Sequence, residues 1–457
     1  MSICPVEKNK DYFIEINDIG NDGEGIGKID EFTVFVKNVL PGEKVKVKII
    51  KVKKHFAYGK ALEILTPSKS RIEPLCQVAK RCGGCTLQHL KYSAQIDFKT
   101  KKVYDALTRI GKFNNPDVKK CIGMENPYNY RNKAQYPVGE YKDGLRIGFY
   151  VGHSHEIIDN NNCIIQHRAN RKIIEIIRNF IQTENISAYN EETGNGLIRH
   201  VMTRIGFYTD EILVCIVING KSLPKAKKLI ENLGQIEGLK GIVLNINTKK
   251  TNVILGKKNI VIWGRDYVTD YIGDVKFNIS IHSFYQVNPV QTKVLYETAL
   301  NYAGLNGNEN VLDLYCGIGT ISLFLAQKAK MVIGVEIVPQ AIEDAKKNAQ
   351  INNIQNAEFI CGASEEVVPE IYKKGFKADV IVVDPPRKGC DIEVINTILK
   401  MKPKKVVYVS CDPATLSRDL KILCEDSYTI SKIQPVDQFC FSTHVETVVL
   451  MSRVEGK

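Results

Sequence analysis

From about residue 284 to Val449 the chain repeats one pattern: a short β-branched run, a turn, then a helical stretch. Val311-Leu312-Asp313-Leu314, Met331-Val332-Ile333-Gly334-Val335-Glu336, Ile381-Val382-Val383-Asp384 and Val406-Val407-Tyr408-Val409 are such runs. Continuous apolar strands alternating with helices bury both faces of a sheet, which restricts this half to a doubly wound α/β layer with parallel strands. In such a sheet, ligands bind beyond the carboxyl ends of the strands. The residues that close each run are therefore the first candidates for a site.

The first run opens into Tyr315-Cys316-Gly317-Ile318-Gly319-Thr320, a glycine turn before a helix. Its glycines let the backbone approach a ligand, and Glu336 at the end of the next run is placed to hold ribose hydroxyls. The full Gly-x-Gly-x-x-Gly pattern is missing, which argues against a nicotinamide dinucleotide. The turn resembles the S-adenosylmethionine turn of class I methyltransferases. Asp384-Pro385-Pro386-Arg387 closes a later run, and its prolines hold the Asp384 carboxylate towards the crevice. Amino-group methyltransferases use a similar turn with an aromatic residue where Arg387 stands here.

Cys411 lies in Ser410-Cys411-Asp412-Pro413, where a strand meets a helix. Asp412 reads as the N-cap and Pro413 as the first helical residue. A thiol beside unpaired N–H groups and a helix amino end is expected to favour thiolate. Glu446 begins the apolar run of a strand near the carboxyl end. One reaction needs both groups. C5 of a pyrimidine attacks a methyl sulfonium poorly until a thiolate adds to C6. A base must then take the C5 proton so that the thiolate can leave. Read singly, a buried inert thiol and a surface carboxylate are the plainer alternatives.

Residues 1–66 read as short strands with glycine turns, a small five-stranded barrel of the OB type. Lys44, Lys46, Lys48, Lys51, Lys53, Lys54 and Lys60 interleave with Phe56 and Tyr58. Lysines track phosphates and rings stack on bases, which suits single-stranded nucleic acid; a solvated lysine face is the alternative. The net charge of +12 agrees with a polyanionic partner. Residues 67–275 alternate strand-like and helical stretches, a central α+β domain that includes a helix from Tyr92 to about Ile110. Residues 276–457 form the α/β half. The chain has 13 cysteines, an odd number. With no membrane-length apolar run and no signal-like segment at Met1–Lys8, the expectation is a cytoplasmic protein with reduced thiols. Cys76, Cys82 and Cys85 fall close together with Gly83 and Gly84 between them, a spacing that can share one metal. Zinc and an iron–sulfur cluster both fit thiolate ligands.

Taken together, Ser410-Cys411-Asp412-Pro413-Ala414-Thr415-Leu416-Ser417-Arg418-Asp419, Asp384-Pro385-Pro386-Arg387, His444-Val445-Glu446 and Ser283-Phe284-Tyr285-Gln286-Val287-Asn288 resemble the S-adenosylmethionine-dependent RNA uracil-C5 methyltransferases. The resemblance covers essentially the whole chain. It implies a TRAM-type barrel, a cluster-bearing central domain and a Rossmann-like class I methyltransferase. It implies Cys411 as nucleophile, Glu446 as base, and Gln286, Tyr315, Glu336 and Asp384 around the cofactor and uracil. It also implies that Cys163 joins Cys76, Cys82 and Cys85 to hold a 4Fe–4S cluster, with zinc as the alternative. A barrel together with a cluster points to the branch that methylates 23S ribosomal RNA, acting as a monomer on a single-stranded or flipped-out uridine. A tRNA uracil-C5 methyltransferase, an amino-group methyltransferase and a non-catalytic RNA-binding metalloprotein are the other readings. Thr320, and Phe439-Cys440-Phe441 before the terminal motif, depart from the family pattern. Tyr128, Tyr130, Arg131, Lys133, Arg199, His200 and Arg204 are candidate RNA contacts.

Overall fold

The computed structural model describes residues 4–454, so Met1–Ile3 of the amino-terminal segment lie outside the described residues. Five strands, β1 (Asp11–Ile19), β2 (Gly25–Ile29), β3 (Phe32–Val36), β4 (Lys44–Val52) and β5 (Phe56–Thr66), close into a barrel of order β1-β2-β3-β5-β4. Alternation drives the closure: in β4, Val45, Val47 and Ile49 are fully buried while Lys44, Lys46 and Lys48 face outward. The barrel wall is tight at Gly27, where a Cβ would stand 2.4 Å from the Glu15 carbonyl oxygen.

Helix α1 (Tyr92–Arg109) follows, then a seven-stranded sheet of order β12-β11-β10-β9-β6-β7-β8. Its strands are β6 (Lys133–Tyr141), β7 (Gly144–Tyr150), β8 (Ile157–Asp159), β9 (Ile198–Ile205), β10 (Ile212–Ile218), β11 (Leu239–Ile246) and β12 (Lys258–Gly264). Helices α2 (Ala169–Thr183) and α3 (Ala226–Leu233) share an apolar core with this sheet. Met202, Leu213, Cys215 and Val217 face the other way, into the core of the carboxyl-terminal half. With both faces covered, every residue of β9 and β10 is buried.

The hairpin β13 (Tyr267–Ile272) and β14 (Val275–Ser280) leads into α4 (Pro289–Ala303). The last sheet has the order β17-β16-β15-β18-β19-β21-β20. Its parallel part is β15 (Asn310–Leu314), β16 (Met331–Glu336), β17 (Ala357–Cys361), β18 (Val380–Val383) and β19 (Lys405–Ser410). Helices α5 (Thr320–Ala326), α6 (Pro339–Ile351), α7 (Ser364–Lys373), α8 (Ile392–Met401) and α9 (Pro413–Leu423) connect and follow these strands. The parallel repeat anticipated through Val449 stops earlier. β20 (Tyr428–Val436) and β21 (Glu446–Arg453) form an antiparallel pair, with β21 inserted beside β19. The loop between them holds no crossover helix, so the chain can only turn back on itself.

Two boundaries differ from the sequence reading. α1 packs on the carboxyl-terminal half rather than on the central sheet, burying Gln95, Ile96, Lys99, Val103 and Leu107. Val118 and Ile122 bridge to Ile433 and Val436 of β20. The division at 275/276 falls inside the β13–β14 hairpin, whose apolar side chains belong to the core of the carboxyl-terminal half.

Candidate active site

Strand register assembles the site. Leu314 of β15 pairs with Val335 on one side and Val383 on the other, and Val383 pairs with Tyr408. Tyr315, Glu336 and Asp384 therefore emerge along one edge of the sheet. β21 runs in the opposite direction, with Thr447 opposite Ser410. Cys411 leaving β19 and Glu446 entering β21 consequently stand side by side. Glu446 is 3% exposed, while Cys411, Asp384, Tyr315 and Glu336 are half-buried.

These groups feel one another. Burial pushes the Asp384 carboxyl up to about 7. Burial and then the Asp384 charge push Glu446 up to about 8, with Arg387 acting against them. Cys411 is pushed up to about 12 by burial, then by Glu446 and Asp384, again opposed by Arg387. Burial and these carboxyl neighbours oppose the thiolate-favouring environment expected from sequence. The helix does begin as anticipated, but Asp412 takes its amino end for itself. The Asp412 side chain accepts from Ala414 N at 2.8 Å and Thr415 N at 3.1 Å. The thiol is left with carboxyl neighbours, which disfavour a second negative charge.

Beneath this strand edge Asp313 is fully buried and pushed up to about 7 by burial; Ser322 bonds one of its oxygens and the other has no partner. Glu336 accepts from Gly317 N at 3.2 Å and Val338 N at 2.9 Å, which fixes its carboxylate at the glycine turn. Gly317, at φ 55°, has open space where a Cβ would point. An acid-rich strand edge over a buried, unpartnered carboxyl oxygen, with an open glycine turn, fits a cationic sulfonium with an attached ribose. Gln438 Nε2 lies 3.4 Å from the Gln286 side-chain oxygen, and Asn132 Nδ2 donates to the Gln286 carbonyl at 3.0 Å. Gln286 stands just before α4, whose N-cap is Asn288.

Cys411 opens into a cleft of about 550 Å³ between the barrel and the carboxyl-terminal half. Asp18–Asp22 and Phe35 line it from the barrel, Lys101 and Lys102 from α1, and Arg387 and His444 from the opposite wall. Phe35, Phe56 and Tyr58 form an aromatic trio on the barrel, with ring centroids 5.5–5.9 Å apart. Four of the anticipated RNA contacts are instead interior. Tyr130, Arg199, His200 and Arg204 are each at most 6% exposed. Arg199 donates to the carbonyls of Asn247, Lys249 and Thr251, and Arg204 to those of Ile281 and Ser283. The last three lie on the doubly covered β9, and Tyr130 packs with Cys440 and Phe441, so none reaches solvent.

Cys76, Cys82, Cys85 and Cys163 are neighbours. Burial pushes Cys85 up to about 12, and the charges of Cys163, Cys82 and Cys76 add to this. Cys163 rises to about 11 for the same reasons, burial first and then Cys76 and Cys82. Gly84 N donates to Cys82 Sγ at 3.4 Å. Among the described residues, no three His, Cys, Asp or Glu side chains are drawn together as a metal-holding group. Thiolates as a class are ligands suited to zinc or an iron–sulfur cluster.

Sequence reasoning used Asp313 only as a strand marker and missed Asp437, Gln438, Gln95 and Lys99, all fully buried. A signal existed for the helical pair: Gln95 and Lys99 repeat at the helical period on the same face as Ile96, Val103 and Leu107.

The comparisons agree with this geometry. The model of the tRNA (uracil-5-)-methyltransferase family matches residues 91–454, beginning at α1, and the TRAM domain model matches residues 5–62. An uncharacterized RNA methyltransferase of Clostridium acetobutylicum is 55% identical over 99% of both chains. Another from Clostridium tetani is 53% identical over 98% of this chain and 97% of its own. The crystal structure of Pyrococcus abyssi tRNA (uracil-54, C5)-methyltransferase with S-adenosyl-L-homocysteine superposes with a TM-score of 0.78 at 29% identity, covering 96% of this chain and 99% of that one. With its amino-terminal TRAM barrel and its methyltransferase sheet, the chain belongs to the tRNA (uracil-5-)-methyltransferase family.

Proposed function

We propose that the protein transfers the methyl group of S-adenosylmethionine to C5 of a specific uridine in 23S ribosomal RNA. The observation that carries this reading is the Ser410–Thr447 pairing, which sets a thiol beside a buried carboxyl in a methyltransferase crevice. With the donor bound, Cys411 loses its thiol proton to solvent, Sγ adds to C6 of the uracil and the ring electrons shift to C5. C5 takes the methyl group from sulfur, and S-adenosylhomocysteine departs. Glu446 then accepts the C5 proton, the C5–C6 double bond re-forms and the C6–Sγ bond breaks. A cationic donor in the crevice offsets the carboxylate field that keeps Cys411 and Glu446 protonated. Tyr315 and Glu336 hold the donor, Glu336 at its ribose, while Gln286 and Asp384 serve the donor and the uracil. The uridine enters flipped out of its stack, because C6 is otherwise shielded.

Cys76, Cys82, Cys85 and Cys163 hold a 4Fe–4S cluster, with a four-cysteine zinc site as the alternative. The close sequence spacing of Cys76, Cys82 and Cys85 supports a shared ligand. Such a group would brace the loop against the RNA without taking part in methyl transfer. The pairing of a TRAM barrel with these cysteines favours ribosomal RNA, and the protein acts as a cytoplasmic monomer. The similarity to the Pyrococcus abyssi enzyme favours a second substrate, tRNA. Mapping 5-methyluridine in 23S ribosomal RNA and in tRNA from cells lacking the gene separates the two. Loss from 23S ribosomal RNA alone is expected; loss from tRNA alone would reassign the substrate.

A further inference from the structure

Residues 437–445 join β20 to β21 without helix or strand, and they deliver Glu446 to the crevice. One face of α1 holds this segment. Tyr92 Oη donates to Asp437 Oδ2 at 2.6 Å and lies 3.5 Å from Cys440 Sγ. Gln95 Oε1 accepts from Phe441 N at 3.1 Å, while its Nε2 donates to the carbonyls of Leu87 and Leu90. Lys99 Nζ pairs with the other Asp437 oxygen and donates to the Phe439 carbonyl at 2.9 Å. Lys102 Nζ donates to the Thr443 carbonyl at 3.0 Å. The four side chains recur at the three- and four-residue spacing that places them along one helix face.

The arrangement is costly for stability alone. Lys99 and Asp437 are both 0% exposed, and a buried ion pair adds little net stability once desolvation is counted. Such a pair does fix position, because any displacement leaves a charge unpaired. Phe441 needs fixing: it sits at φ 65°, a left-handed conformation that a bulky residue keeps only where its surroundings impose it. On the far side, Gln438 reaches Thr292 Oγ1 at 2.8 Å and the Gln286 side chain at 3.4 Å. The segment is thus held between α1 and the start of α4. None of the four side chains hydrogen-bonds to Ser410–Pro413, the turn that carries Cys411, although Lys102 lines the same cleft.

We propose that Tyr92, Gln95, Lys99 and Lys102 are positioning residues for removal of the C5 proton, setting where Glu446 stands against the methylated ring. The inference rests on Glu446 being the base. It separates two stages of one reaction: attack and methyl transfer depend on the Cys411 turn, whereas release depends on the clamped segment. Loosening the clamp should therefore leave methylated RNA attached to the enzyme.

The test uses the full chain, methyl-labelled S-adenosylmethionine and RNA extracted from cells lacking the gene. Label is followed in protein–RNA species that survive denaturing gels. A base misplaced by about 1 Å slows its step on the order of 100-fold. Lys99→Met should slow release on that scale and Tyr92→Phe about tenfold by the same reasoning. Labelled adduct should build up in both, with S-adenosylhomocysteine binding as in the wild type. Tyr92→Phe keeps the ion pair and carries the test if Lys99→Met does not fold. Slower turnover without adduct, or unchanged release, would overturn the positioning role. Glu446→Gln is run alongside: adduct in that variant but not in the clamp variants refutes the clamp alone, whereas its absence from Glu446→Gln removes the base assignment and the clamp with it.

Discussion

Replacing Glu446 by glutamine should change how stability depends on pH. The folded protein holds the Glu446 carboxyl at about 8 against an ordinary 4.5, through burial first and then Asp384. Below about 4.5 the group is protonated in both folded and unfolded chains, and its contribution to stability is fully present. As pH rises towards 8 the unfolded chain ionises while the folded chain keeps its proton, so stability is progressively lost. Above 8 the folded chain carries the whole penalty of a buried carboxylate. At about 1.4 kcal/mol for each pH unit the ceiling is on the order of 5 kcal/mol. Asp384 titrates beside it and shares part of that, which leaves roughly 2–3 kcal/mol for Glu446 alone. Glutamine has nearly the same shape and never ionises. The variant should match the wild type within about 1 kcal/mol at pH 5 and exceed it by about 2–3 kcal/mol at pH 9. Urea unfolding followed by circular dichroism at pH 5, 7 and 9, without S-adenosylmethionine, measures this. Parallel curves for the two proteins would refute the buried, carboxylate-coupled environment assigned to Glu446.

The same electrostatics hold Cys411 protonated, so alkylation by iodoacetamide at pH 8 should be slow in the wild type. It should be faster by on the order of tenfold in Glu446→Gln or Asp384→Asn, because each removes a carboxylate that raises the thiol. Peptide mass spectrometry reads the rates, and unchanged rates would contradict the coupling. Protein purified without oxygen should show visible absorbance and bound iron that Cys163→Ser reduces; bound zinc without colour would replace the iron–sulfur cluster with a Cys4 zinc site.

Strand-end chemistry was readable in the sequence because each apolar run stops at a residue of distinct type. Tyr315, Glu336, Asp384 and Cys411 could all be placed at one edge once the sheet was taken as parallel. Asp412 and Pro413 also marked the start of α9 correctly, since capping is a local property. The protonation state of Cys411 was not readable, because it depends first on burial and then on Glu446, brought near by the antiparallel pairing of β21 with β19. Neither was the burial of Arg199, His200 and Arg204. Their positive charge suggests a surface, yet β9 is covered from both sides and carbonyls accept from the terminal nitrogens of both guanidinium groups. The clamp on 437–445 joins residues far apart in sequence, and only the periodic placement of Gln95 and Lys99 on an apolar helix face hinted at it.

The covalent step is the central claim, and Glu446→Gln tests it most directly. Incubated with S-adenosylmethionine and unmethylated RNA, the variant should form a protein–RNA species that survives denaturation, carries the transferred methyl group and maps to Cys411. The double variant Cys411→Ala, Glu446→Gln should form none. Methylated RNA released freely from Glu446→Gln, or a stable adduct persisting without Cys411, would contradict the mechanism.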